Sequence, residues 1–400
     1  MLYNYTVILW SFMSKWGFVM GIKGLEYVSF FSGGGGLDLG LEAVGFESLL
    51  VTDIDEHSCK SLENNKARSK SRQKPFLRYA KVLRSDITEL SGRDVLELVG
   101  KKPGELALLA GGPPCQAFSV FGKRKGLDDH RGQLAYHYLR MVAEIQPESF
   151  LFENVYGILT IEKGKVFEEL CHKLSEPSPG IHYEISVHRV NAMDFGVPQS
   201  RDRVFVFGNR KYKKIPAPTA THTSNPQMAL DSFLLPYRTV RDALCGLPVM
   251  GEGGLENHTG RKHSDRIKER YALLSPGERD PKTRINRLDL NRPSHTIIVG
   301  SDAGGGKGHV HPTEPREVTP RESARMQTFP DWWAFSGTSR HPIRQIGNAV
   351  PPILGAVMGN LMRKHYWGLE EIPMHTIVDV LDQTHLYERE LFSESEVVSS

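Results

Sequence analysis

A cysteine that follows two prolines and precedes a glutamine is the sharpest chemical feature of this 400-residue sequence. In Gly111-Gly112-Pro113-Pro114-Cys115-Gln116-Ala117-Phe118-Ser119 the prolines stiffen the backbone just before the thiol, and the glycines remove bulk beside it. Cys115 should therefore be held at a fixed place, where its thiolate could act as a nucleophile. An inert buried thiol is the ordinary fate of a single cysteine. That fate fits poorly here, because the run ends a strand and opens into the basic loop Phe121-Gly122-Lys123-Arg124-Lys125-Gly126.

Two further runs supply an acid and a pair of cations. Phe152-Glu153-Asn154-Val155 closes a strand and puts a carboxyl group next to the cysteine across the sheet, where general-acid work becomes available to it. In Pro198-Gln199-Ser200-Arg201-Asp202-Arg203 the two arginines share a face, since side chains alternate along an extended chain. Two guanidiniums on one side can hold a carboxylate, a phosphate or a base carbonyl. A structural salt bridge is the plainer alternative.

A ligand site is marked out further upstream. Phe31-Ser32-Gly33-Gly34-Gly35-Gly36-Leu37-Asp38 is a glycine-rich turn leading into a helix, where missing β-carbons permit close approach to a ligand and positive φ. It lacks a clean G-x-G-x-x-G spacing and, taken alone, is equally a tight turn or a phosphate cradle. Asp53-Ile54-Asp55 offers a carboxylate for ribose hydroxyls and an apolar neighbour to cover an adenine; Asp86-Ile87 would form a second side of the same pocket. A helix-capping aspartate is the simpler role for Asp53 and for Asp86.

The elements that must position these groups alternate in the manner of an α/β domain with a mainly parallel sheet. The pattern predicts strands over 27–31, 48–52, 105–110, 149–152, 183–190 and 203–208. Chemistry collects just beyond strand ends, as the crevice of an open α/β sheet requires. After Gly208 the texture becomes proline-punctuated and aperiodic to about Pro320, which predicts a second, irregular unit. Helical spacing returns at 320–326 and 351–363. The division is therefore 1–19, an N-terminal extension ahead of Met20; 20–212, the α/β unit; 213–319, the irregular unit; 320–367, the segment where helical order returns; and 368–400, an acidic tail that is either a docked helix or mobile.

Composition narrows the class. With 39% hydrophobic and 24% charged residues the chain can bury a large core. Its four cysteines, at 59, 115, 171 and 245, form no C-x-x-C pair, which argues against a disulfide framework and a structural zinc site and leaves no metal expected. A cytoplasmic setting follows. The apolar stretch within the first twenty residues is short, contains Lys15 and lacks the flanks of a signal peptide or anchor, so no membrane is expected. The net charge of +3 hides an asymmetry: residues 368–400 sum to −7 and the rest to +10, a body that a polyanion would attract and that equally fits an ordinary solvated surface.

In their order and types these residues resemble the cytosine-5 DNA methyltransferases of the bacterial and phage modification type. The resemblance spans about 25–365, and Gly-Pro-Pro-Cys-Gln combined with Glu-Asn-Val is highly specific to it. It implies a Rossmann-like, S-adenosylmethionine-dependent methyltransferase fold, a mixed α/β sheet with a smaller irregular target-recognition domain. It also implies that Phe31, Gly33 and Gly35 form the cofactor loop, that Asp53 holds the ribose, and that Ile54, Asp86 and Ile87 contact the adenine. Pro114, Asn348 and Val350 would complete that site, the last two from Gln345-Ile346-Gly347-Asn348-Ala349-Val350-Pro351-Pro352, similar to the family's closing motif. Cys115 would be the nucleophile, Glu153 the acid at ring nitrogen 3, and Arg201 and Arg203 the paired arginines. Gln116, Ser119, Lys123, Arg124, Thr296 and Ile297 would meet DNA, with Ile297 standing where the family's Thr-Leu pair has leucine.

The reaction so implied moves a methyl group from S-adenosylmethionine to carbon 5 of a cytosine flipped out of double-stranded DNA. The expected partners are DNA and a cognate restriction endonuclease acting on the same site, with the enzyme itself a monomer. Three rivals are weaker. A tRNA cytosine-5 methyltransferase would carry a Cys-Phe-Thr tripeptide, and none occurs. A dinucleotide oxidoreductase leaves Pro-Pro-Cys-Gln unexplained, and a DNA-binding protein without activity would not fill every catalytic position. Arg261, Lys262, Arg266, Lys268 and Arg270 read equally as phosphate ligands or as a solvated helix face.

Overall fold

The computed structural model describes residues 25–114, 134–225, 234–297, 299, 308–338 and 340–386. Cys115, Gln116, Ser119, Lys123 and Arg124, together with the expected extension 1–19, lie outside them. Seven strands make one sheet: β1 (Glu26–Phe30), β2 (Glu47–Asp53), β3 (Lys81–Arg84), β4 (Leu108–Gly111), β5 (Ser149–Val155), β6 (Glu184–Asn191) and β7 (Asp202–Asn209). Their order is β3-β2-β1-β4-β5-β7-β6. The pairs β1–β2, β1–β4, β2–β3 and β4–β5 are parallel, while β7 runs antiparallel between β5 and β6. The order reverses between β1 and β4, and their carboxyl ends carry the glycine loop and the Pro-Pro run, where such a sheet opens a crevice.

Period-two alternation assigns the strand residues to two cores. In β1 Tyr27 joins one face, and Val28 and Phe30 the other. The second face is covered by α3 (Gly92–Val99), α4 (Leu134–Ile145) and α5 (Lys165–Ser175). The first face is covered by α1 (Gly36–Ala43) and by α10 (Pro352–Met362), which arrives from the far end of the chain. A β-carbon on Gly359 would lie 2.8 Å from a Val44 methyl, and one on Gly355 would lie 3.4 Å from the Gly40 Cα. Glycines at this crossing let the two helices touch backbone to backbone.

Helix starts follow local chemistry. Asp55 caps α2 (Glu56–Ser69) by accepting from Ser58 N, and Thr319 with Glu322 forms a capping box on α8 (Pro320–Met326), with Pro320 in its first turn. Between β7 and α8 lie two short paired strands, β8 (His222–Thr223) and β9 (Leu235–Pro236), then α6 (Val240–Leu244) and α7 (Asp265–Ala272). Tyr271, Leu274, Ile285 and Val310 form a small core of their own there. After α8 come α9 (Arg340–Asn348), α10 and α11 (Met374–Val380). Of the two readings for the acidic segment, the docked helix holds over α11, whose Ile377 and Val380 join the first core with Leu381. Among the described residues no helix is long and apolar enough to cross a membrane.

Candidate active site

β5 and β7 place the acid and one arginine. Their antiparallel register sets Arg203 opposite Val155 and Phe205 opposite Glu153, so Glu153 and Arg203 share a face as diagonal neighbours. Arg203 Nε lies 2.8 Å from Glu153 Oε1, and both side chains are about nine-tenths buried. Burial pushes the Glu153 carboxyl above its ordinary value; Arg203, and more weakly Arg201, pull it back. A carboxyl so placed can hold a proton closer to neutral pH than an exposed glutamate, which suits a group that must give one.

The same neighbourhood fixes the backbone that leads to Cys115. Asn154 Nδ2 donates to Pro113 O at 2.9 Å, tying the Pro-Pro run to the end of β5. A β-carbon on Gly112 would lie 2.6 Å from Glu153 Oε2, so glycine there is what lets the carboxyl occupy its position. Two of the described cysteines make poor nucleophiles: burial pushes the Cys59 thiol up to about 11 and the Cys171 thiol up to about 12.

Arg201 is brought next to this pair but used differently. It is fully buried, and its Nη2 donates to Gly347 O (2.7 Å) and Ala349 O (2.8 Å), carbonyls just before Val350. Its side chain therefore positions the chain's closing segment. Asn348 is exposed at that turn and Val350 is buried.

The glycine loop and Asp53 meet at the ends of β1 and β2. Asp53 Oδ2 accepts from Gly33 N and Oδ1 from Asp55 N, each at 2.8 Å. Burial raises the Asp53 carboxyl above its usual range, and those two amides draw it back. Phe31, Gly33 and Gly35 adopt positive φ. Above Gly33 a β-carbon would meet nothing closer than 3.9 Å, so the space beside it is open. At Gly36 a β-carbon would collide with Val350 O, and at Gly35 it would lie 2.8 Å from Trp333. Close approach at these two glycines is thus made by the protein's own closing segment. Ile54 is 61% exposed beside Asp53, an apolar face that nothing in the chain covers among the described residues. Asp86 Oδ1 caps the following turn through Thr88 N (2.9 Å), and Ile87 is buried. An open loop, a carboxylate with lone pairs to spare and an uncovered isoleucine fit a nucleoside-bearing cofactor.

Several groups that support this site carry no motif. Trp333 Nε1 donates to Gly34 O (3.0 Å), and Ser61 Oγ bonds Gln345 Oε1 (2.6 Å) while accepting from Ser336 N. Arg344 pairs with Asp55 across the same seam. The clue in the sequence was the Trp332-Trp333 pair, since large indoles are mostly buried and seek a partner for their N–H.

Of the two expected DNA contacts among the described residues, Thr296 is exposed and donates to Ser200 O at 2.7 Å. Ile297 corrects the expectation: it is 3% exposed and packs in the first core, close to Gly347, so apolar burial has claimed it. Among the five basic residues near α7, Arg261 pairs with Glu317, Lys268 with Asp265 and Arg270 with Asp280, so three of the five are met by the chain's own carboxylates. No metal-binding cluster occurs among the described residues.

Comparison with known proteins gives this arrangement a family. The family model for C-5 cytosine-specific DNA methylase matches residues 25–364. Type II methyltransferase M.XorII of Xanthomonas oryzae pv. oryzae is 33% identical over 371 residues, covering 84% of each chain. Type II methyltransferase M1.HphI of Haemophilus parahaemolyticus is 30% identical, covering 91% of this chain and 93% of its own. A solved structure described as a DNA modification methyltransferase encoded within a prophage (E. coli) has a TM-score of 0.66 at 29% identity, covering 86% of this chain and 99% of that one. The S. pombe Dnmt2 methyltransferase, at 18% identity and a TM-score of 0.58 over 84% of this chain and 98% of its own, shares the fold. The chain belongs to the C-5 cytosine-specific DNA methylases and is a DNA cytosine-5 methyltransferase with S-adenosylmethionine as its methyl donor.

Proposed function

We propose that this enzyme methylates a cytosine rotated out of a specific duplex DNA sequence, through a transient bond between Cys115 Sγ and ring carbon 6. The observation that carries the reading is the buried Glu153–Arg203 pair at the end of β5, tied by Asn154 to the backbone that leads into Cys115. Carbon 5 of cytosine is too poor a nucleophile to act unaided. Addition of the Cys115 thiolate to carbon 6 makes it enamine-like. Glu153 meets the charge that builds on the ring by giving its proton to nitrogen 3, and Arg203 supports the carbonyl oxygen electrostatically. After transfer a base removes the carbon-5 proton, Cys115 leaves as thiolate, and nitrogen 3 returns its proton to Glu153, which restores the ring.

S-adenosylmethionine, when bound, supplies an electrophilic methyl group on a sulfonium centre. Gly33 would give it open space beside Phe31, with Gly35 packed under Trp333 and holding the turn; Asp53 would accept from its ribose, and Ile54, Asp86 and Ile87 would flank its adenine. Pro114, Asn348 and Val350 close the pocket, with Arg201 holding the last two in place. Residues 213–319 form the target-recognition part, where Thr296 faces DNA. Gln116, Ser119, Lys123 and Arg124 contact the duplex as the segment after Cys115 closes over it. The relatives named as type II methyltransferases support a modification role beside a cognate restriction endonuclease.

Bisulfite sequencing of DNA from cells expressing the chain tests this reading. One short sequence context should become protected at a single cytosine. Absence of any protected context, with methylation of transfer RNA in a parallel assay, would replace it with the tRNA alternative.

A further inference from the structure

The segment from Lys66 to Arg84 holds eight Lys and Arg residues and no Asp or Glu. It comprises the end of α2, the turn that follows and β3, one of the two edge strands of the sheet. Four of the eight are committed within the chain: Arg68 pairs with Glu256, Arg72 with Asp382 and Arg84 with Glu56, while Lys74 is bound to the Glu42 carbonyl. The other four, Lys66, Lys70, Arg78 and Lys81, have no carboxylate at ion-pair distance among the described residues.

Three of these four gather at one place. Lys66, Lys70, Tyr79 and Lys81 line one open groove of about 530 Å³, floored by apolar side chains that include Val82 and Leu98. Glu63 is its one carboxylate. Lys81 Nζ donates to Leu98 O (2.6 Å) and Lys66 Nζ to Ala80 O, so two ammonium groups are held in place with donors to spare. Tyr79 is 55% exposed, and the Arg78 guanidinium lies 5.2 Å from its ring centroid. Fixed cations beside an exposed tyrosine suit the phosphates of a polyanion, which lysine, arginine and tyrosine side chains all bond.

The groove is separate from the catalytic cleft. The β2–β3 register pairs Asp53 with Arg84 and Leu50 with Lys81, so the groove opens three residues, about 10 Å, back from the cofactor end of the sheet. Three strands, β2, β1 and β4, also stand between β3 and β5, which carries Glu153.

We infer that the β3 edge is a second nucleic-acid-binding surface, which takes the phosphodiester backbone of DNA that is not in the catalytic cleft. This rests on the reading of the enzyme as one that acts on duplex DNA, and it is independent of the target sequence. Such a surface keeps neighbouring duplex close while the cleft searches or turns over. Lysines on an edge strand also discourage edge-to-edge pairing, a role that needs no ligand.

The full chain and its Lys70→Gln/Arg78→Gln double variant separate these roles. Binding of a fluorescent duplex without a target site is measured by anisotropy between about 50 and 200 mM salt. Loss of two phosphate contacts should make the salt slope of log affinity shallower by about 1.8, so the native protein's advantage narrows about twelvefold across that range. Turnover on a short duplex bearing the target should be unchanged. Native enzyme saturated with that short duplex should still retain a long non-target DNA, and the variant should not. An unchanged salt slope would overturn the inference, as would a variant that loses poly-glutamate binding while keeping DNA. Failure of the native enzyme to methylate the short duplex would instead count against the proposed function.

Discussion

Arg203 Nε and Glu153 Oε1 are 2.8 Å apart on adjacent antiparallel strands, in a spot about nine-tenths buried. A carboxyl this far from water would hold its proton tightly if the guanidinium were absent, so the two groups set each other's charge. Replacing Arg203 with Lys keeps the charge but loses the planar fork. Methyl transfer should fall by about 10²–10³-fold, the usual cost of losing a preorganised donor. Calorimetric affinity for S-adenosylhomocysteine should change little, and near-native turnover would remove Arg203 from the account.

Gly112→Ala tests the space rather than the charge. Its β-carbon would lie 2.6 Å from Glu153 Oε2, so the carboxyl must swing away. Turnover should drop roughly as far as in Glu153→Gln, at least about 10²-fold for a displaced acid. Thermal unfolding should move only a little.

Arg201→Met addresses the seam to the closing segment. It strips the buried carbonyls of Gly347 and Ala349 of their donor. Each orphaned group costs about 1–3 kcal/mol, so denaturant unfolding should show a loss of about 2–6 kcal/mol. Cofactor affinity should weaken too, because Val350 packs directly on Gly36. A variant of native stability and affinity would show that other contacts hold the segment.

Asp38 gives the fold a pH signature. It is fully buried beneath the glycine loop, with Tyr27 Oη donating to its Oδ1 at 3.2 Å, and burial raises its carboxyl to about 6. A raised carboxyl means that the folded chain binds the proton more tightly than the unfolded one. Its contribution is therefore intact below about pH 4 and is lost as pH rises through about 6, with a penalty of about 3 kcal/mol beyond that. Asp38→Asn lacks the penalty. Its stability relative to native should improve by about that amount between pH 4 and pH 8 in urea titrations, and a pH-independent difference would contradict the assignment.

Much of the fold was legible because the strands that carry chemistry are apolar runs ended by glycine, proline or charge. β3 was harder to read: it is four residues long, with Lys81 and Arg84 at its ends, and a partly exposed edge strand leaves no strong alternation. In the glycine loop the sequence marks where side chains are forbidden but not by what. Gly33 faces open space, whereas Gly35 and Gly36 face Trp333 and Val350, about three hundred residues away in the chain. Ile297 stands at the leucine of the family's Thr-Leu pair, which implies a DNA contact, yet it packs against Gly347 in the first core. In the acidic tail the few apolar residues left a docked helix and a mobile segment equally open, and burial of Ile377 and Val380 decides for the helix over α11.

Trapping with 5-fluorocytosine tests the covalent step most directly, once the target is mapped. Fluorine at carbon 5 cannot leave as a proton does, so the Cys115 bond to carbon 6 cannot be broken after methyl transfer. A target duplex carrying the analogue should form a complex with the native chain that survives denaturing electrophoresis, only when S-adenosylmethionine is present, and none with Cys115→Ser. A native chain that methylates ordinary duplex yet leaves the fluorinated duplex untrapped, or a serine variant that turns over normally, would contradict the account.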